Sequence, residues 1–117
     1  SQTYFLHSLE QTMWLDTYQK SAMTYRLSSA NKQYAFLNLA AEAGEVMSLE
    51  AKRIRDLTSD SDGFKTSLAK ELGDVMWMVA AIATDHDLYL SDICQSNLQK
   101  LEDRKSRQVI GGSGDNR

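Results

Sequence analysis

The sequence of 117 residues contains no proline. Proline interrupts helix interiors and is common in turns and at the edges of sheets, so a chain without it favours long helices joined by short connections. Alanine, leucine and glutamate, which are strong helix formers, are abundant. A chain of this length forms one domain. The sequence therefore predicts a single all-α domain.

Apolar residues recur at helical spacing in four segments, and polar runs separate them. The predicted helices span about Tyr4–Ala22, Lys32–Leu57, Phe64–Thr84 and Ser91–Lys105, with Ser91 as the N-cap of the fourth. Four helices of this length predict a four-helix bundle or a close variant of it. We expect residues 1–106 to form this helical domain and the glycine-rich residues 107–117 to form a flexible C-terminal tail.

The third predicted helix is apolar on nearly all sides from Val75 to Ala83. A helix without a polar face is buried all round. Because one small chain offers little material for such burial, we expect a second subunit to supply part of it. The predicted assembly is a homodimer, or a tetramer formed by two dimers.

The formal net charge of −3 argues against binding to a nucleic-acid polymer, which requires a basic surface. No apolar run approaches the roughly 20 residues that span a bilayer, and no N-terminal segment has the layout of a signal peptide. Cys94 is the single cysteine, so no internal disulfide can form. We expect a cytoplasmic protein without membrane contact.

Two pairs of acids lie in the second and third predicted helices. Glu42 and Glu45 form the first pair, and Glu71 and Asp74 form the second. Residues three apart share a helix face, with their Cβ atoms about 5–6 Å apart, so each pair presents two carboxylates side by side. A single pair of this kind is usually a solvated helix face. The interpretation therefore depends on the surrounding sequence.

Both pairs are embedded in apolar sequence, and each flanks a glycine in mid-helix, Gly44 or Gly73. Glycine costs about 1 kcal/mol there relative to alanine, and is tolerated where another backbone or a ligand comes close. Converging carboxylates repel one another unless they are protonated or bind cations. Because all the ligands would be oxygens, the predicted ion is Mg²⁺, with Mn²⁺ as a substitute.

These motifs resemble those of the MazG-like all-α nucleoside-triphosphate pyrophosphohydrolases, in which Glu-x-x-Glu is followed, a short helical hairpin later, by Glu-x-x-Asp. The resemblance covers about Gln19 to Arg107. Its segments are Tyr18-Gln19, the run from Leu39 to Val46, the run from Glu71 to Trp77, and Asn97 with Lys100 and Arg104.

The resemblance implies hydrolysis between the α- and β-phosphates of a nucleoside triphosphate, which releases a nucleoside monophosphate and pyrophosphate. Glu42, Glu45, Glu71 and Asp74 would be the catalytic metal ligands. One of the glutamates of the second helix, such as Glu45, could also accept the proton of the attacking water. We expect a canonical or modified deoxynucleoside triphosphate as substrate, in nucleotide-pool house-cleaning or deoxynucleotide turnover. The preferred base stays open.

Further residues are candidates for contacts with the substrate. Lys52 could reach a phosphate, although a cation near a helix C-terminus is also explained by the helix dipole. The resemblance makes Asn97 and Lys100 nucleotide contacts, where a charged surface stripe is the alternative. Aromatic faces stack on bases, so Trp14, Tyr18 and Trp77 could form a wall against the base, or they could simply belong to the core.

Two other functions compete with this hypothesis. A ferritin-like di-iron protein needs Glu-x-x-His pairs. Neither His7 nor His86 has a glutamate three residues before it, which excludes that class. A non-catalytic helical interaction module of the same fold stays open as the alternative.

Overall fold

The computed structural model describes residues 14–58 and 61–107, in which four helices and no strand occur. We number the helices α1, of which residues 14–23 are described, α2 (Lys32–Arg55), α3 (Ser61–Asp85) and α4 (Leu90–Ser106). The predicted all-α fold is confirmed. The predicted start of α1 at Tyr4 and nearly all of the predicted C-terminal tail lie outside the described residues. Within the described part of the chain, every helix is too short or too polar to span a bilayer.

Helices α2 and α3 pack against each other as an antiparallel hairpin. The N-terminus of α2 is capped by Asn31, whose side-chain oxygen accepts a hydrogen bond of 2.9 Å from the backbone N–H of Tyr34. The helix ends at Arg55, two residues before the predicted end, because Leu57 adopts a left-handed backbone with φ of 52°. Helix α3 begins three residues earlier than predicted, at Ser61.

The core lies around the second half of α3. Ala80 and Ala83 are buried there together with Leu90 of α4, and the partly buried Leu15 and Tyr18 of α1 pack against them. Much of the apolar stretch that suggested a second subunit is thus covered by helices of the same chain. Its alanines allow this, because small side chains let neighbouring helices approach closely.

The N-terminus of α4 is capped by side chains of α1, which lie about 70 positions away in sequence. Gln19 accepts a hydrogen bond of 2.8 Å from the backbone N–H of Leu90. The carboxylate of Asp16 accepts two more from Ser91, one from its backbone N–H and one from its hydroxyl. The predicted N-cap role of Ser91 is therefore wrong: the N-cap is Tyr89, and the bonds that a local cap would make come from α1.

A second network of hydrogen bonds holds the connection between α1 and α2 against the C-terminal end of α3. The guanidinium of Arg26 donates to both carboxylate oxygens of Asp85, at 2.8 and 2.9 Å, and also to the carbonyl oxygens of Ala30 and Asn31. Both charged side chains are largely buried. The hydrogen bonds from Arg26 lower the pKa of Asp85 below its usual value.

Candidate metal centre

Three of the four predicted acids come together between α2 and α3. Glu42 projects from α2, and Glu71 and Asp74 project from neighbouring turns of α3. One carboxylate oxygen of each lies within 4.8 Å of the others. Glu42 and Glu71 are half-buried, and Asp74 is exposed. Antiparallel packing of the two helices thus gathers three negative charges at one place on the hairpin.

This group of acids fits a small, hard divalent cation. All three ligand atoms are oxygens, which Mg²⁺ and Mn²⁺ prefer. Two oxygens on opposite sides of Mg²⁺ are about 4.2 Å apart, twice a metal–oxygen distance of about 2.1 Å. The observed limit of 4.8 Å is close to that value, so small rotations of the side chains would bring the three oxygens into a coordination shell.

Glu45, the fourth predicted acid, follows Glu42 by one helical turn. Its side chain is exposed, and among the described residues the group of clustered acids does not include it. The structure therefore places three predicted ligands together and leaves Glu45 beside them.

Asn38 is a residue of this site that was not predicted. Its side-chain amide donates a hydrogen bond of 3.2 Å to a carboxylate oxygen of Glu42 and lies 3.5 Å from the sulfur of Met78 in α3. Asn38 precedes Glu42 by four residues, so both lie on the face of α2 that meets α3. The hydrogen bond restricts the orientation of the Glu42 carboxylate. The i,i+4 spacing of an amide before an acid was the available signal.

Two aromatic residues of α1 stack on each other, and one of them interacts electrostatically with a clustered acid. Burial raises the pKa of the Tyr18 phenol, and the negative charge of Asp74 raises it further, which places this side chain near the acidic group. Trp14 stacks on Tyr18, with the ring centroids 6.0 Å apart and the ring planes inclined by 22°. The exposed fraction of Trp14 is 64%, so the outer ring of this aromatic pair faces solvent.

The sequence model of the MazG nucleotide pyrophosphohydrolase domain matches residues 31–109, which include all four predicted acids. The chain belongs to the MazG family. It is also similar to the Gene 37 protein of Mycobacterium phage L5, with 46% identity in an alignment of 89 residues that covers 72% of this chain and 75% of that protein. No solved structure matches the chain.

The MazG match begins after α1, so Trp14 and Tyr18 lie outside it.

Three other residues of this MazG domain that were predicted to contact the substrate lie on α3 and α4. The indole N–H of the half-buried Trp77 donates a hydrogen bond of 3.1 Å to the carbonyl of Ala22, which ties α3 to α1. In α4, Asn97 is exposed and Lys100 is half-buried. The three clustered acids come from α2 and α3 alone, so a contribution from α4 stays a prediction.

Lys52 is exposed at the far end of the hairpin from the acids. It lies ten residues beyond Glu42, which is about 15 Å along a helix. There it lines a cavity of about 320 Å³ together with Arg53, Phe64 and Ser67. Lys52 could meet only the part of a substrate that extends along the hairpin away from the acids.

A cavity of about 610 Å³ lies elsewhere, where α1 meets the connection between α3 and α4. Gln19, Lys20, Thr84 and Tyr89 are among its lining residues, and none of the three clustered acids is. The clustered acids lie outside this cavity, between α2 and α3. A Cβ atom added at Gly73 or at Gly44 would meet no atom within 4 Å beyond its chain neighbours and the nearby backbone of its own helix. Packing within the described chain thus does not require either glycine.

Proposed function

We propose that this MazG-family protein is a Mg²⁺-dependent nucleoside-triphosphate pyrophosphohydrolase. It would hydrolyse a nucleoside triphosphate to the monophosphate and pyrophosphate. The observation that carries the proposal is the convergence of Glu42, Glu71 and Asp74 within 4.8 Å, from two helices of a domain of this family. Three like charges at this distance repel one another, and a bound divalent cation would offset that repulsion.

The acids divide into two roles. Glu42, Glu71 and Asp74 would hold Mg²⁺, and the hydrogen bond from Asn38 would keep the Glu42 carboxylate in a fixed orientation. An ion held by these acids would neutralise charge on the phosphates and acidify a water molecule. Glu45 is exposed one turn away and is not one of the clustered ligands, so its carboxylate is available to accept the proton of the attacking water.

The aromatic pair of α1 supports a base-binding role. Tyr18 interacts electrostatically with Asp74, and the exposed Trp14 stacks on Tyr18, so a base could stack there while its phosphates lie at the acids. We assign a deoxynucleoside triphosphate, canonical or modified, as the substrate class. Lys52, Asn97, Lys100 and Trp77 are the further proposed contacts.

The direct test is the release of pyrophosphate from a panel of ribo- and deoxynucleoside triphosphates, with Mg²⁺, with Mn²⁺ and with EDTA. We expect release from at least one deoxynucleotide with either ion and none in EDTA. The matched pair of variants is Glu71→Gln, which removes a clustered acid, and Glu102→Gln, which removes an exposed acid of α4. Only Glu71→Gln should abolish the activity.

Release of orthophosphate in place of pyrophosphate would reject the proposed bond cleavage. No turnover of any nucleotide in either metal would support the alternative, a non-catalytic helical interaction module. Equal activity in Glu71→Gln and Glu102→Gln would reject the clustered acids as the catalytic site.

A further inference from the structure

Helix α1 carries an aromatic face and a hydrogen-bonding face. Trp14 and Tyr18 share the first face, and Asp16 and Gln19 share the second. At about 100° per residue, the two pairs are centred roughly 150° apart around the helix axis. The hydrogen bonds of the second face therefore determine where the first face points.

Both donors and the acceptor of the Gln19 amide are in use, and the residue is only 6% exposed. Its nitrogen donates to the hydroxyl of Thr84 at 3.0 Å and to the carbonyl oxygen of Leu88 at 2.9 Å. Its oxygen accepts from the backbone N–H of Leu90 at 2.8 Å. Rotation of α1 about its axis would break these bonds and leave buried polar groups unpaired, which is costly.

Thr84 connects Gln19 to the helix that carries two of the clustered acids. The hydroxyl of Thr84 donates to the carbonyl oxygen of Ala80 at 2.8 Å, one turn earlier in α3, so it meets the Gln19 amide as an acceptor. Glu71 and Asp74 belong to the same helix. Gln19 thus fixes the orientation of α1 relative to the helix from which these two acids project.

Close packing does not replace these bonds. A cavity of about 610 Å³ borders the hydrogen-bonding face of α1, and Asp16, Gln19 and Lys20 are among its lining residues. A cavity leaves that part of the helix without contacting atoms, so α1 has room to turn there. A turn of about 20° would move a ring by about 2 Å at the outer radius of a helix, which is enough to change a stacking contact.

We propose that Gln19 is a positioning residue for the substrate, which holds the rings of Trp14 and Tyr18 where the base stacks. This inference rests on the proposed function and deepens it, because it assigns the binding of the base, and not the chemical step, to the setting of α1. Asp16 supports the same setting, since its carboxylate accepts hydrogen bonds from the backbone N–H and the hydroxyl of Ser91 in α4.

The first test measures KM and kcat for pyrophosphate release by Gln19→Met, which keeps the length of the side chain and removes its hydrogen bonds. We expect KM to rise about fivefold, as for loss of a stacking ring, and kcat to stay unchanged. The matched control is Asn31→Ala, which removes the N-cap hydrogen bond of α2 and so lowers stability at another place. Its KM should equal that of the parent.

The second test asks whether Gln19 acts through Trp14. If it does, Gln19→Met should raise KM less than about twofold in a Trp14→Ala background, because the ring that it positions is already absent. Two independent fivefold effects would instead multiply to about 25-fold in the double variant. A residue that only stabilises the fold would not produce this dependence on Trp14.

A third measurement needs no turnover. In protein labelled with fluorotryptophan, the fluorine NMR signal of Trp14 is assigned by its absence in Trp14→Ala. This signal should move in Gln19→Met and keep its position in Asn31→Ala, because only the first change releases the rotation of α1.

The outcomes separate this inference from the proposed function. No pyrophosphate release by the parent would reject the proposed function and, with it, the substrate role of Gln19. An active parent with an unchanged KM in Gln19→Met, multiplicative effects in the double variant, or an unmoved Trp14 signal would overturn the role of Gln19 alone. If Gln19→Met does not fold, Asp16→Ala and Asp16→Asn decide. Only the alanine loses the acceptor for Ser91, so only Asp16→Ala should raise KM.

Discussion

Helix α3 carries acids in two regions, and their neighbours differ in kind. At its C-terminal end, Asp85 binds Arg26 of the same chain through two hydrogen bonds, so its charge is neutralised by the fold. In the middle of α3, Glu71 and Asp74 lie within 4.8 Å of Glu42, another acid. The first arrangement stabilises the folded chain, whereas the second costs electrostatic energy until a cation binds. An unfavourable charge arrangement that a fold retains is a candidate functional site.

Substitution of Glu71 should have the largest effect of any change that we predict. Glu71→Gln removes one clustered charge and keeps the shape of the side chain. Pyrophosphate release should fall more than about a hundredfold, beyond the usual effect of residues that only orient metal ligands. Without metal, the variant should be more stable than the parent, because one charge repulsion within 4.8 Å is relieved. In a water-like medium the gain in the free energy of unfolding is about 1 kcal/mol.

Thermal melts in EDTA and in millimolar Mg²⁺ measure the second half of this prediction. Mg²⁺ should raise the melting temperature of the parent more than that of Glu71→Gln, because an ion that binds only the folded state stabilises it. Equal Mg²⁺ shifts in both proteins would remove Glu71 from the metal site.

Substitution of Asp85 should give the opposite pattern. Asp85→Asn should lower the free energy of unfolding at pH 7 by about 2 kcal/mol, because it breaks a charge-assisted, bidentate contact of two largely buried side chains. The Mg²⁺ shift of the melting temperature should stay as in the parent. If Asp85→Asn also lost the rise in melting temperature that Mg²⁺ causes in the parent, the two regions would not be independent.

The pH dependence follows from the lowered pKa of Asp85. A carboxyl whose folded pKa is depressed stabilises the fold fully above its unfolded pKa, and this contribution is lost as the pH falls through the folded pKa. The stability difference between parent and Asp85→Asn should therefore be constant from pH 7 down to about pH 5 and shrink below about pH 4. Denaturant unfolding at a series of pH values measures it.

The sequence predicted what depends on local spacing. The helices of the hairpin and the acids on their facing sides follow from periodicities of three and four residues, and antiparallel packing then brings Glu42 opposite Glu71. The contacts of α1 were not predictable in this way. Gln19 binds the backbone of Leu90 across 71 positions, and nothing in the spacing within α1 specifies that partner.

The position of Glu45 shows a second limit of sequence spacing. Residues three apart share a helix face only approximately, because the side chains are separated by about 60° around the axis. That rotation is enough to leave Glu45 exposed while Glu42 turns toward α3. Which member of an i,i+3 pair points at a neighbouring helix depends on the packing angle, and periodicity does not determine that angle.

Asn38 should have an intermediate effect, confined to the acidic region. Asn38→Leu removes the hydrogen bond to Glu42, and metal affinity should fall about tenfold, as is usual for residues that orient a metal ligand. Titration with Mn²⁺, followed by paramagnetic relaxation of water, measures this without turnover. The control Gln33→Leu changes an exposed amide on the same helix and should leave the affinity unchanged. Equal affinities in the parent and Asn38→Leu would show that Glu42 needs no such support.

Trp14 should have the smallest effect, and one of a different kind. Base stacking on an aromatic side chain contributes about 1–3 kcal/mol, and the low end applies to a ring as exposed as Trp14, so KM in Trp14→Ala should rise about fivefold. Because an indole ring supplies no ligand for Mg²⁺, kcat and the Mg²⁺ shift of the melting temperature should stay near the parent values. The control is Tyr25→Ala, which removes an aromatic ring of 81% exposure outside the described helices. An equal rise in KM for both variants would assign the effect to general surface change and would separate the aromatic pair of α1 from the substrate. A rise for Trp14→Ala alone would extend the functional region from the hairpin to α1, the helix whose Asp16 and Gln19 cap α4.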